Sequence, residues 1–387
     1  MITLKKHGDR RIRKGHLWVF SNEIAEPPVA SLKAGGIYEL RDSTGEFLGT
    51  VYANPASLIS ARILSRKKIK IDREFLAERI QAALDRRNCF IRDRDAYRLV
   101  FGESDSLPGL IIDRYKDYLV VQTLTAGMDL LCDQIVEVLR GLLEPAGIYV
   151  RNDVGVRSLE GLPQVKSLAY GEVPEAVEIH SGGLRFLVDT ANGQKTGFYL
   201  DQEWNRSLMK HYVVPGARVL DLFCYTGAWA LHALAAGARE AVGLDSSRGA
   251  LKLATENAVL NGMDDRFQTV RDNAVDFLKK AKEQWDVIIL DPPAFVKSRA
   301  RIKEGRAGYI DVNRRALGRI ASGGFLVSCS CSHNIDAPTF EGILLAASRQ
   351  SNRELRILDY RSQGPDHPML LTMPETRYLK VFVAQVV

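Results

Sequence analysis

The sequence predicts an α/β protein in three parts: a small β-barrel over residues 1–71, a small α+β module over 72–189, and a doubly wound α/β domain over 190–387. Three observations carry this prediction. A chain of 387 residues exceeds the roughly 150 that one domain needs. The first seventy residues alternate apolar and polar positions between glycine turns, the pattern of short antiparallel strands. The last two hundred change character: strand-like runs at 218–222, 241–244, 267–270, 287–290 and 324–328 alternate with helix-like segments, as in a parallel sheet covered on both faces.

Element by element, Gly35 to Thr50 reads as a hairpin, Asn54-Pro55 breaks it, and Leu58 to Leu64 resumes it, so five or six strands are expected. From Asp72 to Asp95, Phe75, Leu76, Ile80, Ala83 and Leu84 recur at helical spacing. Leu110 to Gln122 is a hairpin with Lys116-Asp117 near its turn, Met128 to Leu143 an amphipathic helix, and strands follow near 148–151 and 177–188. The tail offers two closely spaced strands, at 369–373 and from Tyr378 onward, as an edge hairpin. With the five parallel runs they make a seven-stranded mixed sheet.

Composition excludes several classes. Hydrophobic residues are 46% and charged residues 26%, which is ordinary for a soluble globular protein and unlike a disordered chain. The start is charged with no apolar run behind it, so no secretion signal is expected. The longest nearly uncharged stretch, 219–238, contains Asp221, His232 and turn-forming residues, and reads as strand, turn and helix rather than a membrane span. Five cysteines without a Cys-x-x-Cys pair support neither a disulfide framework nor a zinc site, and point to a reducing cytoplasm. The net charge of +6 is uneven. Residues 1–100 hold 20 Lys/Arg against 12 Asp/Glu, with clusters at Lys5-Lys6, Arg10–Lys14 and Arg66–Lys70, which favours a polyanionic partner such as RNA.

Ligands of open α/β sheets bind beyond the carboxyl ends of the strands. The first strand here runs into Asp221-Leu-Phe223-Cys-Tyr225-Thr-Gly227, and the second ends at Asp245, eighteen residues after Gly227. A carboxylate there can accept from both hydroxyls of a ribose, each charge-assisted bond contributing about 1.5–3 kcal/mol. A single glycine and an acidic Asp221 suit no pyrophosphate, so S-adenosylmethionine fits better than NAD. The third strand ends at Asp272, which could accept an adenine amino group or cap the next helix.

The fourth strand meets Asp291-Pro292-Pro293-Ala-Phe295, where two prolines stiffen a turn at the sheet edge. A splayed-out base could stack on Phe295 and hydrogen-bond to Asp291. The fifth ends Ser328-Cys329-Ser-Cys331-Ser-His333, with both cysteines on one side of the strand. As metal ligands these would be incomplete, and no metal is expected. As a nucleophile, a thiolate adding at carbon 6 of a pyrimidine makes carbon 5 reactive toward a sulfonium methyl, and such a site is expected to depress the thiol's pKa.

Over nearly its whole length the chain resembles the PUA-domain class I methyltransferases, with a Rossmann-like catalytic domain, that form 5-methylcytosine in large-subunit (23S) ribosomal RNA. The resemblance rests on Ala34–Asp42, Gly49, Asn54-Pro55 and Arg62 of a PUA-like barrel, on Gly193–Arg206, and on Asp221–Gly227, Asp291–Phe295 and Ser328-Cys329-Ser330. It implies Cys329 as nucleophile with Asp291, while Cys331 is additional and the base that removes the carbon-5 proton is left unassigned. It implies S-adenosylmethionine contacts from Gln202, Arg206, Asp221, Phe223, Tyr225, Gly227, Asp245, Ser246, Asp272, Asn273 and Asp291. It implies substrate contacts from Pro292, Pro293, Phe295, Lys195 and Phe198. The expected partner is large-subunit ribosomal RNA, with a homodimer as the assembly and no membrane partner. Two other readings stay open: methylation of a guanine or another base nitrogen on the same fold, and a non-catalytic RNA-binding factor in ribosome assembly.

Overall fold

A computed structural model describes every residue except Asp93 and Lys297, and gives no side-chain account of Arg299. The chain forms two compact units. The first comprises Met1–Val177, Asp189–Leu200 and Pro365–Thr376; the second comprises Glu178–Val188, Asp201–Gly364 and Arg377–Val387.

In the first unit, six short strands between Ile2 and Ser65 form one sheet, and five strands between Ala96 and Gly171 form another. Tyr52 and Leu64 of the first sheet lie in the same apolar core as Leu99, Ile112, Val121 and Ile148 of the second. Polar bonds reinforce this fusion: buried Glu160 takes Arg62 at 2.8 Å and Asn54 at 2.7 Å. The helix expected over 72–95 runs Arg73–Asn88, capped by Asp72 accepting from the Phe75 amide. The single helix expected over 128–143 is instead Ala126–Leu130 and Cys132–Leu143, joined at Leu131, whose N–H bonds three residues back to the Met128 carbonyl. Strands Ala96–Phe101 and Val165–Gly171 have no counterpart among the strands expected from sequence; the hairpin Val177–Ser181/Leu184–Val188, which from Glu178 on belongs to the second unit, forms a sheet of its own.

The second unit holds the seven-stranded sheet. Its strands are β1 (Arg218–Leu222), β2 (Glu240–Asp245), β3 (Phe267–Arg271), β4 (Trp285–Leu290), β5 (Ile320–Ser330), β6 (Leu355–Arg361) and β7 (Lys380–Val386), in spatial order β3-β2-β1-β4-β5-β7-β6. Its longer helices are α1 (Ala228–Ala235), α2 (Arg248–Leu260), α3 (Ala274–Lys280), α4 (Ile302–Leu317) and α5 (Ala337–Ser351). β1 to β5 are parallel, and β7 is antiparallel to both its neighbours. Runs such as Val287–Leu290 are fully buried, as strands covered on both faces must be.

The tail corrects one expectation. Residues 369–373 form no strand: Leu370 N bonds to Thr376 Oγ1, and Met373 Sδ accepts from the Leu17 amide, tying the segment to the first unit. The partner of β7 is the charged, half-exposed β6, so β7 lies inside the sheet and not at its edge.

Candidate active site

Register places the chemistry. Leu222, Leu244 and Leu290 stand in one row of parallel partners, and Ser328 pairs with Leu290. One step beyond lie Asp245, Phe223, Asp291 and Cys329, side by side across the carboxyl edge of β2, β1, β4 and β5. The residue types at four distant positions thus meet because four parallel strands run in register.

The loop after β1 is held in an uncommon conformation. Phe223 (φ +64°), Tyr225 (φ +51°) and Gly227 (φ +80°) all take left-handed backbone, costly for the two aromatic residues. Asp245 holds the loop: its Oδ2 accepts from the Tyr225 amide at 3.0 Å and its Oδ1 from the Ser247 amide at 2.9 Å. One lone pair on each oxygen stays available for a hydroxyl. A Cβ at Gly227 would meet Phe267 at 3.2 Å and Ala254 at 3.3 Å, so only glycine closes this turn against α2. Ser246 is exposed beside it.

Asn257 carries no signal in the sequence, yet it fastens the loop from below. This fully buried side chain donates to the Thr226 carbonyl at 3.1 Å and accepts from the Leu187 amide at 2.7 Å. Asn257→Ala leaves both groups unpaired and is expected to cost about 2–4 kcal/mol in chemical denaturation. Calorimetry is expected to show weaker S-adenosylmethionine binding as well.

Asp221 is fully buried. Its Oδ2 accepts from the Ala230 amide of α1 at 3.1 Å, while Oδ1 has no hydrogen-bond partner among the described residues. Burial, reinforced by Asp291 and Asp245, pushes this carboxyl well above the usual range. Asp291 is half-buried, and its Oδ2 accepts from Gln202 Nε2 at 2.9 Å and from Trp229 Nε1 at 3.1 Å. Lost hydration raises it to about 6, the two hydrogen bonds opposing the shift. Buried Gln202 bridges: it also takes Asn205 Nδ2 on Oε1 at 2.8 Å and lies against the Cys329 thiol, whose ionisation its amide favours. Arg206 is buried and paired with Glu203 at 3.0 Å. Beside them His232 is pushed down to about 4, by burial first and Arg206 second, and so is neutral.

Cys329 is fully buried against this cluster. The depressed thiol pKa expected of a nucleophile is overturned here. Burial, then Asp291, raises it well above the ordinary value, because the neighbouring charges are carboxylates. Cys331 is half-buried, with Sγ 4.0 Å from the Pro292 carbonyl.

The serines that alternate with the cysteines fix which way the thiols face. Ser328 Oγ donates to Asn313 Oδ1 at 2.7 Å, Ser330 Oγ to Tyr309 Oη at 3.1 Å, and Ser332 Oγ lies 3.0 Å from Tyr309 Oη, all toward α4. The cysteines therefore point to the other side, as alternation requires. Ser332 Oγ also accepts from the Val296 amide at 3.2 Å, joining the tip of β5 to the loop after β4. On that loop Pro292 is buried and Pro293 exposed. Phe295 packs on Tyr309 (centroids 4.6 Å) and meets Phe223 edge-on (6.4 Å).

At the end of β3, Asp272 is not the helix cap. Asn273 is, accepting from the Val275 amide at 2.9 Å and the Asp276 amide at 3.3 Å, while Asp272 accepts from the Asn273 amide. Lys195 and Phe198 lie in the first unit: Lys195 is exposed with Nζ 5.3 Å from the Tyr199 ring centre, and Phe198 is buried. Among the described residues no cluster of His, Cys, Asp and Glu is placed to hold a metal, and no helix is long and apolar enough to cross a membrane.

Known proteins match this architecture. Residues 2–66 match the PUA-like domain family, and residues 164–372 match the S-adenosylmethionine-dependent methyltransferase family. Ribosomal RNA large subunit methyltransferase I of Aeromonas hydrophila is 39% identical over 99% of this chain and 98% of its own. The protein of that name from Shewanella denitrificans is 37% identical over 100% and 99%. A methyltransferase structure solved with SAH superposes with a TM-score of 0.87 at 23% identity, covering 99% of each chain, and so shares the fold. The chain therefore belongs to the S-adenosylmethionine-dependent methyltransferases that open with a PUA-like domain, the family of the ribosomal RNA large subunit methyltransferase I proteins.

Proposed function

We propose that the protein methylates carbon 5 of a cytosine in large-subunit ribosomal RNA, through a transient bond between Cys329 and carbon 6 of the base. The observation that carries this reading is the cluster of Cys329, Gln202 and Asp291 at the sheet edge. Methylation of a base nitrogen uses the nitrogen's own lone pair and needs no thiol there; carbon 5 of cytosine does.

The residues fit S-adenosylmethionine. Asp221, Asp291 and Cys329 each carry a raised pKa, partly from one another, so the cluster favours a cation among them. The buried, unpartnered Asp221 Oδ1 suits an ammonium or its hydration. Asp221 and the loop Phe223–Gly227 would hold the methionine part, Asp245 the ribose, and Asp272 with Asn273 the adenine. When bound, S-adenosylmethionine supplies a methyl carbon made electrophilic by its sulfonium.

The protein's own residues do the rest. Phe295 offers a ring face for the base, steadied from behind by Tyr309. Asp291 accepts from the exocyclic amine. Cys329 loses its proton to water and its sulfur bonds to carbon 6, moving the C5=C6 electron pair onto carbon 5, which takes the methyl group as the methyl–sulfonium bond breaks and its electron pair stays on the donor's sulfur as a neutral thioether. The carbon-5 proton then passes to a base, the C5=C6 bond re-forms and the sulfur leaves. Asp291, titrating near 6, lies in the range where a carboxylate exchanges protons at neutral pH, and we assign it that transfer, directly or through water. The PUA-like barrel and the basic N-terminal quarter are assigned to RNA binding. A homodimer is the proposed assembly.

Ribosomal RNA carrying 5-fluorocytosine tests the reading. Fluorine cannot leave carbon 5 as a cation, so the expected result is a protein–RNA adduct stable to denaturing gels and dependent on S-adenosylmethionine. Turnover on natural RNA without any trapped adduct would instead favour a nitrogen target.

A further inference from the structure

We propose that the cavity at the start of α4 binds the phosphodiester backbone of the RNA strand next to the target base. This rests on the RNA reading above and adds to it a subsite on the catalytic unit. Residues 297–306, directly after Phe295 and Val296, hold five Lys/Arg and one acid, within a stretch from residue 101 to the end that carries more acid than base. A cavity of about 480 Å³ opens here, lined by Ala300, Ile302, Lys303, Arg306, Ala307 and Ile310. Lys303 and Arg306 are exposed, and among the described residues neither is in an ion pair. Farther along the same helix, Arg314 and Arg315 are both held by Asp311, at 2.7 and 2.8 Å. Two cations kept free over an apolar wall suit a ligand with charged oxygens and an apolar sugar edge.

The distance to the base site is short. α4 packs on the acceptor loop through glycines: a Cβ at Gly305 would meet Val296 at 2.3 Å, and one at Gly308 would meet the Phe295 ring at 3.4 Å. At 1.5 Å rise per residue, Lys303 and Arg306 stand only about 3–8 Å along the helix axis from Gly308. That is the span between a base and its own or the adjoining phosphate. The N-terminal end of this sixteen-residue helix adds partial positive charge on the same side.

The test is binding of a ribosomal RNA fragment by Lys303→Ala/Arg306→Ala across a salt series. The expected result is a roughly threefold to tenfold weaker Kd near 150 mM salt and a log–log salt slope shallower by about 1.4, the value for two contacts to single-stranded phosphates. S-adenosylmethionine affinity and melting temperature are expected to stay as in the wild type, and Lys303→Glu/Arg306→Glu is expected to bind weaker still. An unchanged slope and Kd in both double variants would overturn the subsite while leaving the RNA reading intact. A wild-type protein that binds the RNA without salt dependence would overturn both.

Discussion

Cys329→Ala is expected to lower methyl transfer by about a thousandfold or more, while S-adenosylmethionine affinity changes by less than about threefold. The asymmetry comes from where the sulfur acts. The resting thiol is neutral, held so by burial and by the carboxyl of Asp291, and contributes little charge to donor binding. Its bond to carbon 6 exists only during turnover, so its loss falls on kcat and abolishes trapping on 5-fluorocytosine RNA. Cys331→Ala is expected to trap as the wild type does, because Cys331 lies by the Pro292 carbonyl while Cys329 sits with Asp291 and Gln202. Single-turnover assays with radiolabelled donor measure both variants. Full activity in the double variant would remove the covalent mechanism.

Much of this site is legible in the sequence because strands of a parallel sheet announce themselves as apolar runs, and the residues at the end of each run land at one edge. Asp221, Asp245, Asp291 and Cys329 all stand at such run ends. The side chains that reach the edge from elsewhere leave no such mark. Trp229 reads as one more apolar residue of α1, and nothing local says that its indole donates to Asp291, sixty-two positions away. Asn257 and Tyr309 are of the same kind, polar groups whose partners lie on other elements. β6 is hidden because Leu355-Arg-Ile-Leu-Asp-Tyr-Arg361 is a half-exposed edge strand rich in charge, whereas the more apolar 369–373 makes the better candidate on pattern alone. The thiol pKa is hidden for a different reason. Sequence reveals that a cysteine ends a strand, but whether cations or carboxylates surround it depends on the tertiary arrangement.

Asp291→Asn is expected to lower kcat/KM by about 10²–10⁴-fold and, unusually for an active-site change, to raise stability above pH 6. Asparagine is a close isostere here, since the Gln202 and Trp229 bonds both arrive on one oxygen, which an amide carbonyl can supply. The charge alone disappears. The folded state raises this carboxyl from 3.8 to about 6, so between those values folded protein binds the proton that unfolded chain releases. Stability from this group is therefore fully present below pH 3.8 and is lost as pH rises to 6, the reverse of a carboxylate in an ion pair. Above pH 6 the ionised wild type bears a penalty of about 1–3 kcal/mol that the amide lacks, with partial solvent access placing the effect toward the lower end. Activity runs the other way: a group that accepts from the base and takes up a proton must be ionised, so wild-type kcat/KM is expected to climb through pH 6 to a plateau. Denaturant titrations and pH–rate profiles of both proteins read these opposed trends. A variant that keeps the rise near pH 6 would assign that titration to another group, and one no more stable than the wild type at pH 8 would mean that the Asp291 carboxylate is not penalised by its burial.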